Sequence, residues 1–146
     1  MIRVNKKVEY GVLALLYLNE QESKSASVRE MAANCAVPEA LLSKVMQSIK
    51  NVGYVSAVYG NQGGYKLAKS IAEINLLDLT QTLDGPIQVA ECLDPDNGDC
   101  PARLSCKIID PMHVLNQKII ELFQATSVQQ LAVKSDPLVE GKAAQV

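Results

Sequence analysis

Three features predict a mainly α chain: a helix-turn-helix, a glycine-rich hairpin directly after it, and a long seamed helix near the end. The expected architecture is a winged helix-turn-helix DNA-binding domain plus a long dimerisation helix. The expected boundaries are 1–84 for the DNA-binding domain, 85–134 for a cysteine loop with the dimerisation helix, and 135–146 for a flexible C-terminal tail. With 146 residues, 48% of them hydrophobic and 21% charged, the chain has enough apolar material for a real core and is not a disordered polymer.

Residues 6–19 are apolar almost without break after Tyr10, which predicts a helix buried on most sides. Glu20 to Ala26 reads as a polar link. Ser27 stands three residues before Glu30, a capping box that opens a short helix running to about Cys35. Pro38 suits the first position of the next helix, which runs to about Asn51 with Gly53 as its stop. Along it, Leu41, Leu42, Val45, Met46 and Ile49 share one face, and Ala40, Ser43, Lys44, Gln47 and Asn51 share the other. Tyr54 to Val58 and Tyr65 to Lys69 read as strands around the turn Gly60-Asn61-Gln62-Gly63-Gly64. A hairpin in that place is a wing: the helix enters the major groove, and the tip lies along phosphates or the adjacent minor groove. The glycines do not form a phosphate loop, because the Gly-Lys-Ser/Thr ending and the following helix are missing.

Residues 75–84 read as a short helix ended by Gly85-Pro86. A loop rich in turn formers follows, from Glu91 to Pro101 and on to Cys106. Pro111 is expected to start a helix that runs to about Ala125. On it Met112, Leu115, Ile119 and Leu122 repeat at spacings of three, four and three, a coiled-coil-like seam that predicts a homodimer. Ser127 to about Val133 reads as a last short helix.

Charge is unevenly spread. Residues 1–70 hold nine Lys/Arg against five Glu, a net +4, and residues 71–146 hold five against eleven Asp/Glu, a net -6. A basic first half suits a polyanion, so the distribution says more than the overall -2. The expected contacts to double-stranded operator DNA are Arg29, Ala40, Ser43, Lys44, Gln47, Lys50, Tyr59, Asn61, Gln62, Lys66 and Lys69, with Lys50, Lys66 and Lys69 on phosphates. No apolar stretch is long enough to span a membrane, and no cleavage site follows the short run Val12 to Leu18, so a cytoplasmic chain is expected.

Four cysteines are present. Cys35 falls in the apolar pattern of the helix-turn-helix and is expected in the core. Cys92, Cys100 and Cys106 lie within fifteen residues on a polar loop, which points to soft-metal ligation or redox chemistry. Seven residues separate the first pair and five the second, which is neither a zinc-ribbon spacing nor a ferredoxin run. The acidic stretch between Cys92 and Cys100 is not an EF-hand, since no Glu closes it.

From Lys7-Val8-Glu9-Tyr10-Gly11 to about Leu131 the chain resembles the Rrf-type winged-helix repressors. That family includes the iron–sulfur cluster assembly regulator, the nitric-oxide-sensing repressor and the rhizobial iron regulator. The most specific pieces are Gly60-Asn61-Gln62-Gly63-Gly64-Tyr65-Lys66-Leu67-Ala68 and Gly85-Pro86-Ile87 running into the three cysteines. The resemblance implies that Cys92, Cys100 and Cys106 ligate an iron–sulfur cluster, 2Fe–2S or 4Fe–4S, that senses redox, nitric oxide or iron status. Ile109 stands where the cluster assembly regulator has its ligating His, and Ile cannot ligate. Other members use a carboxylate from the first helix of the partner subunit, which points to Glu9; His113, the only histidine, and Asp110 are weaker candidates. Tyr59 stands at the wing tip where many relatives carry Arg, and Lys44 where the cluster assembly regulator has Gln, so a different operator is expected.

Two alternatives remain beside this one. The same fold can respond by thiol oxidation or through zinc, without a cluster. An electron-transfer or carrier protein could also use the loop, but this leaves the basic helix face and its wing without a purpose. No nucleophile–base pair and no paired carboxylates suggest an enzyme.

Overall fold

A computed structural model describes residues 3–23, 25–61, 63–96 and 100–132. The expected tail, 135–146, and the wing residue Gln62 lie outside the described residues. Among the described residues, six helices and three strands follow in the order α1 (Lys6–Glu20), β1 (Ser25–Ala26), α2 (Val28–Cys35), α3 (Glu39–Asn51), β2 (Val55–Val58), β3 (Gly64–Leu67), α4 (Leu76–Leu83), α5 (Ile109–Ala125) and α6 (Val128–Leu131). A single 3-10 turn, Glu91–Leu93, interrupts the cysteine loop.

The Asn5 side chain caps α1 by accepting from the Lys7 amide. Val8, Gly11, Ala14, Leu15 and Leu18 form its buried face, whereas Leu13 is exposed and Val12 and Leu16 are half-buried. The helix is therefore buried along one stripe and not on most sides. Gly11 lets α4 come close, since a Cβ there would meet the Leu83 side chain at 2.8 Å.

Ser27 caps α2 through the Glu30 amide at 3.1 Å. Only this half of the expected capping box forms, because the Glu30 carboxylate instead accepts from the Tyr17 hydroxyl at 3.0 Å, tying α2 to α1. Ala36 ends α2 in the left-handed region at φ 54, and the Val37 amide donates back to Ala32. An exposed Ala pays a steric penalty of roughly 1 kcal/mol there that Gly does not. Ala36→Gly is expected to raise stability by about 0.5–1 kcal/mol in urea melts; a loss would show that this turn is not left-handed in solution.

Pro38 sits at the N-cap of α3, one position before its expected place, and contributes its fixed φ without a side-chain cap. Leu42, Val45, Met46 and Ile49 are buried, each worth about 1.5–3 kcal/mol of burial, which fixes the rotation of α3 about its axis. Gly53, at φ 82, lets the Tyr54 amide reach back to the Ile49 carbonyl and end the helix.

The link Glu20 to Ala26 is not wholly irregular. Ser25 and Ala26 form β1 and pair with Lys66 and Tyr65, so the hairpin becomes a three-stranded antiparallel sheet in the order β1-β3-β2. Gly64 (φ 137) makes this possible: any Cβ there would run into the Ala26 carbonyl.

α5 begins two residues before Pro111, which occupies its first turn, where no intrahelical amide bond is lost. α5 has no buried residue in the single chain, and it packs on α4 and the 3-10 turn. α6 carries the complete capping box, Ser127 with Gln130, and buries Val128 fully among side chains of the amino-terminal domain. Among the described residues, no helix is long and apolar enough to cross a membrane.

Candidate DNA interface and cysteine site

Because the core rotates the buried stripe of α3 inward, Ala40, Lys44, Gln47, Lys50 and Asn51 point to solvent, with Ser43 half-buried at their edge. Arg29, exposed, lies in the first turn of α2. Among the described residues the one ion pair is Lys6 with Glu9, so Arg29, Lys44, Lys50, Lys66 and Lys69 have no carboxylate within ion-pair distance there. These are unneutralised cations on the outside of a helix-turn-helix, the arrangement that attracts phosphates.

The wing extends from β2 and β3. Its turn is closed by the Gly63 amide on the Gly60 carbonyl at 3.2 Å. Tyr59 stands 91% exposed at the tip, with Asn61 exposed beside it. Lys66 lies opposite Ser25 and Ser56 in the central strand and is exposed. Lys69 sits at the other end of the hairpin from the tip, its ammonium 5.7 Å over the Tyr54 ring.

One candidate was not singled out in the sequence. Lys7 and Lys44 line one shallow groove together with Leu41, Ser48 and Leu83. Helical spacing inside α1 says nothing about α3, so only the tertiary packing brings these two ammonium groups onto one groove.

The cysteine site hangs between α4 and α5. The segment after Gly85 is pinned by the Val89 amide donating to the Asn116 side chain of α5 at 2.9 Å. Cys92 lies in the 3-10 turn, and Cys100 and Cys106 lie in the turns that lead into α5. All three are free thiols and half-buried, while Leu104 between the last two is fully exposed. By donor chemistry the set fits an iron–sulfur cluster: three soft thiols on one loop, none tied up in a disulfide. Among the described residues, no three His, Cys, Asp or Glu side chains converge as a single ion requires. A cluster is held by thiolates gathered around one body, so loading it would draw the three thiols of this loop together.

Of the fourth-ligand candidates, His113 and Asp110 are exposed on α5. Glu9 is half-exposed on α1 and paired with Lys6 at 2.8 Å, and its carboxylate holds the Lys6 ammonium above its ordinary pKa. An exposed pair of this kind is weak, so Glu9 is easily released.

Cys35 is not in the core as expected. It ends α2, half-buried, with its thiol 3.9 Å from the Leu13 carbonyl. The short α2 places it in the last turn, beyond the buried Met31 and Ala32. Burial, with a smaller push from Glu20, raises its thiol pKa, which disfavours the thiolate.

Comparison with known proteins agrees with this fold. The chain is 28% identical over 138 residues to "Protein aau3" of Rhizobium meliloti, covering 94% of this chain and 89% of that one. It is 23% identical to the HTH-type transcriptional regulator NsrR of Shouchella clausii, covering 94% and 93%. Among solved structures it superposes on CymR, the global cysteine regulator of B. subtilis, with a TM-score of 0.71 at 23% identity, covering 93% of this chain and all of that one. Residues 4–134 match the family model Rrf2, described as an iron-dependent transcriptional regulator. With an exposed helix-turn-helix, a wing and nearly the whole chain inside that match, the protein is a transcriptional regulator belonging to the Rrf2 family.

Proposed function

We propose that the protein is a homodimeric operator-binding regulator, probed by its signal through an iron–sulfur cluster on Cys92, Cys100 and Cys106. The observation that carries this is the placement of three half-buried free thiols on one loop that runs directly into the seamed helix α5. When bound, the cluster supplies an oxidant- and nitric-oxide-sensitive centre. The chain's own part is to hold three thiolates, and to offer Glu9 from a second copy as the fourth ligand.

On DNA, Ala40, Ser43, Lys44 and Gln47 face the major groove, and Arg29, Lys50, Lys66 and Lys69 meet phosphates. Asn61 and Gln62 belong to the wing contact. Lys7, which shares a groove with Lys44, joins it on the phosphate side. Lys66→Gln and Lys7→Gln should each weaken all duplexes about equally and flatten the dependence of log affinity on log salt by about one. Ser43→Ala should instead change site preference and leave the salt slope alone. Fluorescence anisotropy with duplexes that the anaerobically purified protein enriches from a random-sequence library tests both. An unchanged slope for both lysine variants would remove them from the interface.

Response by thiol oxidation on the same loop is the second reading, and the free state of all three thiols favours it as well. A zinc ion on the same thiols is the remaining form of this reading, and a zinc count on the same protein tests it. Iron and acid-labile sulfide, counted on protein purified without air, decide between the cluster and the thiol readings.

A further inference from the structure

The tip of the wing is uncharged. From Asn51 through Tyr65, fifteen consecutive residues carry no ionisable acid, lysine, arginine or histidine. The tip is also thin. Gly60 and Gly63, both at positive φ, bear no side chain, and the turn between the strands closes at 3.2 Å. Tyr59 is the large side chain that this tip presents, and its ring is 91% exposed. By contrast Tyr65 on the same hairpin packs against the core, and Tyr54 is buried.

A basic tip gains affinity by releasing counterions from phosphates; this tip has nothing with which to do so. What it offers is an aromatic face, a phenolic hydroxyl and a narrow profile. The minor groove is about 6 Å wide, which admits a glycine hairpin carrying one flat ring. Apolar and aromatic side chains that enter there act as wedges, opening a base step that unstacks easily. Pyrimidine–purine steps are the least costly to open.

We propose that Tyr59 is a minor-groove wedge that selects a deformable pyrimidine–purine step flanking the sequence read by α3. The proposal rests on the operator-binding function above and specifies how its wing contributes to site choice. The tyrosine acts by stacking against an opened step, and its hydroxyl remains free to accept or donate at the groove edge. Its contribution is independent of salt, unlike that of the lysines.

The test uses the full chain, purified without air, and duplexes it enriches from a random-sequence library. Enriched duplexes are expected to share a TA or CA/TG step at a fixed distance outside each core half-site. Tyr59→Ala should bind them about tenfold or more weakly, lose that flanking preference, and keep the wild-type salt slope. Tyr59→Phe should keep most of the affinity. Tyr59→Arg should regain affinity with a steeper salt slope and without the step preference. With 2-aminopurine at the step, wild-type protein should raise its fluorescence by unstacking, and Tyr59→Ala should not. Because the side chain is exposed, melting temperatures should match wild type, which separates loss of contact from loss of fold. Unchanged affinity and flanking preference in Tyr59→Ala would overturn the wedge while leaving operator binding intact. Failure to enrich any duplex would overturn both.

Discussion

Replacing Cys92, Cys100 and Cys106 together by Ala is expected to abolish visible absorption, bound iron and acid-labile sulfide in protein purified or reconstituted without air. The effect should be all-or-none, since a loop that keeps none of its thiols has no soft donor left. None of the three belongs to the hydrophobic core, so the variant should melt close to wild type. This makes the loss a statement about ligation and not about folding. Cys35→Ala should leave the chromophore intact, because that thiol sits at the end of α2 beside the Leu13 carbonyl of α1 and not on the cysteine loop. Iron and sulfide persisting in the triple variant would move the cofactor to other residues. A colourless wild type, even after reconstitution, would leave thiol oxidation as the response.

Leu115→Glu combined with Leu122→Glu is expected to convert a dimer into a monomer and to weaken binding to a two-half-site duplex by at least a hundredfold. The seam is longer than the helix period first suggested. Ile108, Met112, Leu115, Ile119 and Leu122 follow one another at four, three, four and three residues. Ile108 is 58% exposed, Leu115 43% and Leu122 63%, too much apolar surface on one line for a helix meant to face water. Burying each side chain against a second copy is worth about 1.5–3 kcal/mol, and a carboxylate in its place reverses the sign. Two recognition helices then no longer reach successive turns of the groove together, and each half-site must be bound alone. Light scattering after size exclusion reads the first effect, and anisotropy titration reads the second. A variant that stays dimeric would place the interface elsewhere.

The elements that were legible in the sequence are those whose signal is local. Helical spacing gave the face of α3, the glycines gave the wing, and the Ser27 cap gave the start of α2. What was missed depends on partners distant in sequence. Two residues, Ser25 and Ala26, are too few to show a strand period, and they become a strand only because Gly64 lets β3 come alongside. Glu30 reads as half of a capping box until Tyr17, thirteen residues away, claims its carboxylate. Cys35 looks like core from its neighbours, but it is the last residue of the eight-residue α2 and stays half-buried beside the Leu13 carbonyl of α1. At the site, the thiols were visible as a cluster in sequence, whereas the pairing of Lys7 with Lys44 required the packing of α1 on α3.

The far end of α5 has a mechanical meaning. There the Leu76 amide bonds the Thr126 carbonyl at 2.8 Å, the Val128 amide bonds the Ile74 carbonyl at 2.9 Å, and Val128 plugs the amino-terminal core. α5 is thus a beam welded at its carboxyl end to the body that carries α3. Along its length α5 also packs on α4 and the 3-10 turn, and the Asn116 side chain midway along it accepts from the Val89 amide. If the thiol loop is the sensor, a displacement of α5 is expected to carry the joined body, and α3 with it. Cutting the chain just before Thr126 would remove the weld and a core residue together, so the minimal DNA reader extends to α6 and does not stop at α4.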